Sequence, residues 1–410
     1  MSPAKDRPLA FLVRDLGGGG VQRSQLRLAG AFAARGHAVD LVTCAPPGPG
    51  DRPVREGVRL VVLPRMPKFP AKLLPLLADP AALHLLAPAM LTKARPSPTI
   101  ANLLGLVRYL RRERPLGVLA APTDLNLEAI WARRLAGVST RIVVSERVHL
   151  STALKDSSPW RQRHFPRLVR RYYPMADAIV AVSAGVADDL ATHVGIPRER
   201  IATIFNPVVS SAMILQSAEP VDHPWFAAGA PPVVLGVGRL TAQKDFPTLI
   251  RAFARVRAER PVRLMILGEG KPEMHAELRA LADSLGCAAD VDLPGFAPNP
   301  FAYMALSGVF VLSSAWEGFG NVVVEALACG CPVVSTNCPS GPAEILDDGR
   351  YGALVPVGDD AAMAEAILAM LAHPPERSAL TARGAEFSVD RAVERYLELL
   401  LCEPAVAQRV

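Results

Sequence analysis

The 410-residue chain reads as an α/β protein made of two doubly wound, Rossmann-like domains. An apolar strand, a glycine-rich or polar turn, an amphipathic helix and a second apolar strand follow one another near the start, and the same order returns from Pro232. At about 150 residues per domain, the length accommodates two or three domains. Half of the residues are hydrophobic, and the 38 prolines and 30 glycines follow no strict period. That excludes disordered and collagen-like classes.

The first unit begins with apolar Leu9 to Val13 and Gly17-Gly18-Gly19-Gly20. Leu26, Leu28, Ala29, Phe32 and Ala33 follow at helical spacing, Gly36-His37 closes the helix, and Val39 to Thr43 is the next strand. Leu63 to Pro98, punctuated by proline and carrying Arg65, Lys68, Lys72, Lys93 and Arg95, fits no standard α/β connection. It reads either as an insertion packing on its own domain or as a surface resting in a membrane interface. Further strand-like runs are Ile142 to Ser145, Ala178 to Val182 and Ile201 to Ile204.

Between Asn206-Pro207 and Pro231-Pro232 lies a stretch of Pro, Ser and Ala with little periodicity. The expected organisation is a domain over 1–207, a linker over 208–231, a second domain over 232–386 and a terminal helical segment over 387–410. The second domain opens with the strand Val233 to Val237, the loop Gly238 to Lys244, the helix Phe246 to Glu259 and the strand Arg263 to Leu267. Val309 to Ser313, Pro332 to Ser335 and Ala353 to Pro356 continue the alternation, and Val393, Tyr396, Leu397, Leu400 and Leu401 mark the last helix.

The formal charge of +6 conceals a division. Residues 1–215 contain 30 basic and 15 acidic side chains, residues 216–410 contain 15 and 24, so the first half is expected to face something anionic. Nucleic acid is not the reading, because no interleaving of aromatic and basic residues and no recognition-helix motif occurs. The six cysteines show no CxxC pair or neighbouring His at zinc spacing, so they read as free buried thiols and no metal is expected. Met1 to Pro8 lacks an apolar signal core, and the nearest approach to a membrane span, Leu73 to Leu91, is broken by Pro75, Asp79, Pro80, His84 and Pro88. The expectation is a cytoplasmic chain.

Gly17 to Gly20 lacks GxGxxG spacing, and Val42-Thr43-Cys44 ends the next strand without an acidic residue for a ribose, which argues against NAD. These glycines instead let backbone N–H groups approach a ligand at a helix N-terminus, or form a tight structural turn. In the second domain Arg239 and Lys244 lie in the loop after its first strand, at the carboxyl edge where open α/β sheets bind ligands. A planar fork and a point charge on one loop suit a diphosphate. Glu317-Gly318-Phe319-Gly320-Asn321 precedes a helix bearing Glu325. Two carboxylates beside a diphosphate suit neutral hydroxyls of a sugar and a ribose.

Gly238-Arg239-Leu240 with Lys244-Asp245, Leu267-Gly268-Glu269-Gly270, Leu293-Pro294-Gly295-Phe296, the Glu317-x7-Glu325 frame and Gly330-Cys331-Pro332-Val333-Val334 together resemble the retaining glycosyltransferases of family 4. In the first half the resemblance rests on the glycine loop, Arg35-Gly36-His37, Ala181-Val182-Ser183 and Phe205-Asn206-Pro207. It implies the GT-B fold, two Rossmann-like doubly wound domains facing across a cleft, with the terminal helix returning to the first domain. It also implies that Arg239 and Lys244 grip a donor diphosphate and that Glu325 holds the ribose. Glu317 and the backbone of Gly318, Phe319, Gly320 and Asn321 would hold the transferred sugar and phosphates, and Gly268, Glu269 and Phe296 would flank the base. The loop containing Gly18 and Gly19 would close over the diphosphate.

Many relatives carry an Arg shortly after Gly-Glu-Gly, where this chain has Lys271-Pro272-Glu273. Relatives often place a His near the end of a central strand of the first domain. Here the segment is Ser145-Glu146-Arg147-Val148-His149, with His149 offset and Glu146 and Arg147 as rivals for the role. Cys338 to Leu346 resembles the same region in bacterial enzymes that use UDP-hexoses or UDP-N-acetylhexosamines, which implies a UDP-sugar as donor substrate and no separate cofactor. The implied acceptor is a glycan or a lipid-linked saccharide, and the basic half would dock on the anionic inner face of the cytoplasmic membrane. The alternatives are a relative that binds nucleotide-sugars without transfer, and transfer from a GDP- or ADP-sugar to a soluble acceptor.

Overall fold

The computed structural model describes residues 7–17, 19–49, 51, 53–71, 73–86, 99–155 and 157–401. It separates into two compact units, residues 1–207 with 389–410, and residues 208–388.

The N-terminal unit is a seven-stranded sheet in the order β3-β2-β1-β4-β5-β6-β7. The strands are β1 (Leu9–Val13), β2 (Val39–Thr43), β3 (Val58–Val62), β4 (Gly117–Ala120), β5 (Arg141–Glu146), β6 (Ala178–Ala181) and β7 (Ile201–Thr203). Every pairing is parallel. β1, β2 and β4 are buried along their whole length, as parallel strands covered on both faces must be. The strands β3 and β4 were not singled out in the sequence. β3 is only partly buried at the sheet edge, and Gly117-Val118-Leu119-Ala120 is too short to show a period.

The helix Val389–Leu401 belongs to this unit. Val393, Tyr396 and Leu400 join the core around Phe11, Phe32 and Leu41, and Arg141 Nε donates to the Leu399 carbonyl at 2.5 Å. Part of the proline-rich insertion is also tied in: Pro75, Ala78 and Ala82 are buried, and Asp79 pairs with Arg171 at 2.7 Å. Lys72, Lys93 and Arg95 of that segment lie outside the described residues.

The C-terminal unit is a six-stranded parallel sheet in the order β10-β9-β8-β11-β12-β13. Its strands are β8 (Val233–Val237), β9 (Arg263–Leu267), β10 (Val291–Gly295), β11 (Val309–Leu312), β12 (Val333–Thr336) and β13 (Ala353–Val355). Phe246, Leu249, Ile250 and Phe253 of the helix Phe246–Glu259 seal one face. Residues 208–231, expected as a linker, are structured within this unit. The helix Ser211–Ser217 packs on Pro300–Leu306, Asn299 Nδ2 donates to the Gln216 carbonyl at 2.8 Å, and Val208 N donates to the Phe387 carbonyl at 3.1 Å. A seven-residue helix is too short to announce itself by periodicity.

Five cysteines, Cys44, Cys287, Cys329, Cys331 and Cys338, are free and buried, while Cys402 lies outside the described residues. Burial pushes the thiols of Cys329 and Cys338 up to about 12, so neither is a nucleophile near neutral pH. Among the described residues no helix is long and apolar enough to cross a membrane.

Candidate active site

In each sheet the strand order reverses once, between β1 and β4 in the first and between β8 and β11 in the second. Loops leaving the carboxyl ends of the two strands at such a point diverge and leave a crevice.

In the C-terminal unit, Lys244 leaves β8 on one side of this point and Glu317 leaves β11 on the other. Lys244 Nζ donates to Glu317 Oε1 at 2.6 Å, with 14% and 11% of the two side chains exposed. The same carboxylate oxygen accepts from Ser314 Oγ at 2.8 Å. Around this pair the loops are laced together. Gln243 Nε2 donates to the Trp316 carbonyl at 2.9 Å, Ala315 N to the Gln243 carbonyl at 2.8 Å, and Ser313 Oγ to the Lys244 carbonyl at 2.7 Å. From beyond β12, Ser340 Oγ donates to the Glu317 carbonyl at 2.8 Å, and at the end of that strand Thr336 Oγ1 donates to the Ser314 carbonyl at 2.6 Å. The hydroxyls of Ser313, Ser314, Thr336 and Ser340 escaped the sequence reading. Their one signal was a run of small hydroxyl residues at the carboxyl ends of two strands.

Two glycines make this packing possible. Gly341 sits at φ +93°, and a Cβ there would lie 1.9 Å from the Phe319 carbonyl oxygen. Gly268 sits at φ +153°, and its Cβ would lie 1.8 Å from the Gly238 carbonyl oxygen. No side chain fits in either position. The close approach at Gly268 accompanies two bonds that join the Gly238 and Gly268 loops, from Gly238 N to the Leu267 carbonyl at 2.9 Å and from Leu240 N to the Glu269 carbonyl at 2.8 Å. Gly268 N in turn donates to the Gly295 carbonyl at 2.8 Å.

The sequence-expected residues therefore fall into distinct settings. Arg239 is exposed and, among the described residues, its guanidinium makes no ion pair. Glu269 and Phe296 are also exposed, Phe296 by 61%. Gly318 and Asn321 are half-buried at the start of the helix Asn321–Ala328, to which Gly320 is the N-cap. The Phe319 ring is buried against Phe387, with ring centres 5.7 Å apart. Glu325 lies on the same helix and is 1% exposed.

In the N-terminal unit, Gly19 caps the helix Gly20–Ala34, whereas Gly18 lies outside the described residues. His149 follows β5, with Nδ1 placed 3.0 Å from Thr152 Oγ1 and 3.5 Å from Asp189 Oδ1. Desolvation holds its pKa below the ordinary value, and the Asp189 charge opposes that shift. Asp189 also pairs with His193 at 2.9 Å. Glu146, the last residue of β5, is fully buried and accepts from Thr123 Oγ1 at 2.9 Å and Tyr173 OH at 2.7 Å. Burial raises its pKa to about 7, against the pull of these donors. Among the described residues no cluster of three His, Cys, Asp or Glu is placed to hold a metal ion.

Lys244 and Glu317 thus meet at the carboxyl edge of the C-terminal sheet, with Arg239 exposed on the same loop as Lys244. Comparison with known proteins bears on the family of the chain. Residues 231–373 match the family model described as glycosyl transferases group 1, and residues 19–207 match the glycosyl transferase 4-like domain. The chain is 33% identical over 280 residues to an N-acetylgalactosamine-N,N'-diacetylbacillosaminyl-diphospho-undecaprenol 4-alpha-N-acetylgalactosaminyltransferase of Campylobacter jejuni, spanning 67% of this chain and 72% of that protein. It is 35% identical over 238 residues to the lipopolysaccharide core biosynthesis glycosyltransferase LpsE of Rhizobium meliloti, spanning 57% of this chain and 66% of that one. Among solved structures, Anabaena HepE in complex with UDP and glucose is similar with a TM-score of 0.70 at 20% identity, covering 96% of this chain and 99% of that one, a likeness of fold. With both units matched and a relative of this identity covered over most of its length, the chain belongs to the family 4, or group 1, glycosyltransferases of GT-B fold.

Proposed function

We propose that this glycosyltransferase moves a hexose or N-acetylhexosamine from a UDP-sugar, with retained configuration and no metal, to a glycan or polyprenyl-diphosphate-linked acceptor of surface polysaccharide or glycolipid. The observation that carries the reading is the Lys244–Glu317 pair across the strand-order reversal, with the exposed Arg239 on the same loop as Lys244. As the sugar leaves, positive charge grows on its ring and negative charge on the diphosphate. Fixed cations at the leaving group favour that transition state over the ground state. Arg239 and Lys244 supply them, Glu317 takes sugar hydroxyls and Glu325 the ribose. Attack from the leaving group's own face needs no side-chain nucleophile.

Support for the donor comes from the UDP bound in Anabaena HepE, and support for the acceptor from the diphospho-undecaprenol named for the Campylobacter enzyme. The test is thermal stabilisation by UDP, GDP, ADP and NAD in wild type and Glu325→Ala, since a ligand of the folded state raises stability by mass action. Selective stabilisation by UDP, reduced in the variant, is expected, with the product anomer then assigned by NMR. Preference for GDP or ADP overturns the donor, and no nucleotide response overturns catalysis.

A membrane-facing role for the N-terminal unit is part of this reading. The helix Pro159–Tyr172 carries Arg161, Arg163, Arg167, Arg170 and Arg171, and Leu73, Leu77 and Leu83 are exposed on the insertion. Each basic group near an anionic leaflet adds about 1 kcal/mol. Binding to phosphatidylglycerol vesicles that weakens with salt is the expected outcome, and no binding at low salt overturns it.

A further inference from the structure

Beyond Glu146 the chain turns over the carboxyl edge of β5 with Arg147, a residue only 5% exposed. Its Nη1 donates to Asn206 Oδ1 at 2.7 Å, beyond the end of β7. The guanidinium's other edge, formed by Nε and Nη2, is buried and meets no acceptor among the described residues. Glu146 next door does not answer it. The Glu146 oxygens accept from Thr123, from Tyr173 and from the backbone N of Arg147 at 3.0 Å, and no ion pair among the described residues includes the Arg147 guanidinium.

An arginine stays protonated at any accessible pH, and burying its charge without a counter-charge is costly. Nε–H and one Nη2–H point the same way from a planar group, at the spacing of two oxygens on a phosphoryl or carboxylate group. Side chains that follow β5 and β7 thus hold a fork, unanswered among the described residues, beyond the carboxyl ends of these strands, where parallel sheets receive ligands. Asn206 fixes its orientation in advance, so little side-chain entropy remains to be lost on binding.

We propose that Arg147 is the anion-binding residue of the N-terminal unit and that its Nε–Nη2 edge takes two oxygens of a substrate diphosphate. The proposal rests on the transferase reading for the identity of that substrate. The diphosphate belongs either to the donor nucleotide or to a lipid-linked acceptor, and the experiment separates the two.

The test titrates the full chain, as wild type, Arg147→Lys and Arg147→Gln, with inorganic pyrophosphate, UDP and farnesyl diphosphate. Lysine keeps the charge and loses the fork. A tenfold or larger loss of affinity for UDP in Arg147→Lys, with farnesyl diphosphate unchanged, assigns the donor. The reverse pattern assigns the acceptor, and a loss for both supports the shared chemistry. Affinities equal to wild type for all three probes overturn the proposal, leaving Arg147 a packing residue whose loss changes only the unliganded melting temperature.

Should both variants fold poorly, the Nε–H resonance of Arg147 in wild-type chain labelled with ¹⁵N-arginine decides. A downfield shift on adding pyrophosphate supports the proposal, and no shift overturns it. Failure of the transferase reading is distinguishable: wild type then shows no nucleotide response, while pyrophosphate binding still depends on Arg147.

Discussion

Lys244 and Glu317, 73 residues apart, form an ion pair of 2.6 Å in which each side chain is largely withdrawn from water. Neither charge can be removed alone without consequence. Lys244→Ala leaves the Glu317 carboxylate hydrogen-bonded to Ser314 but without the Lys244 charge, and breaking a buried pair this way costs about 3–5 kcal/mol. A drop in unfolding free energy of that size is expected, measured by denaturant titration. The double variant Lys244→Met with Glu317→Gln should regain most of the stability while remaining inactive. Full loss in the double variant would mean that the two residues do not act as a pair.

Arg239 offers the opposite balance. Exposed and outside any ion pair of the described residues, it should contribute within about 0.5 kcal/mol to stability. Its removal in Arg239→Ala should lower kcat about a hundredfold or more, as expected for a group that meets charge developing in the transition state. Comparing the melting curve with the rate of sugar release from UDP-glucose and UDP-N-acetylglucosamine checks both halves. A near-normal rate would remove Arg239 from the diphosphate.

Gly341→Ala should damage the site from a distance. The added Cβ would sit 1.9 Å from the Phe319 carbonyl oxygen on a backbone at φ +93°, so the 317–321 loop has to move. A stability loss of roughly 2 kcal/mol or more is expected from strain at such a position, together with weaker UDP binding. Calorimetry with UDP reads the second effect. Unchanged affinity would show that the loop backbone is not part of the nucleotide site.

Glu146 makes stability depend on pH. Its pKa rises from 4.5 to about 7 on folding, so between these values the folded chain holds a proton that the unfolded chain has released. Stability is therefore highest below about pH 4.5 with respect to this group, and falls by roughly 3 kcal/mol as pH rises to 7. Glu146→Gln keeps the shape and removes the titration. The difference between the two proteins in urea titrations at pH 5 and pH 8 should reveal that fall, and parallel pH profiles would refute it.

His149 follows a different rule. Its pKa is lowered on folding, so its contribution is present above the unfolded value and is lost as pH falls through the folded one. His149→Asn should flatten that acid loss in urea titrations, and an unchanged profile would place the titration elsewhere.

Much of this protein was written in local pattern. Two strand–turn–helix–strand units, the apolar runs of β1, β2, β8 and β9, and the positions of Arg239, Lys244, Glu317 and Glu325 are legible because hydrophobic periodicity and glycine spacing act over a few residues. β3, β4 and the helix Ser211–Ser217 are not, being short and dependent on neighbours for their burial.

Sequence by itself determined the two-domain α/β class and the family, since both rest on local order and motif. Tertiary structure alone decided that Lys244 meets Glu317, that Phe319 turns its ring into the core, and that Arg147 is buried with one edge of its guanidinium unanswered among the described residues. The physical reason is that burial and pairing depend on which strand ends are brought together. Parallel pairing joins segments dozens of residues apart, and no spacing along the chain records that distance.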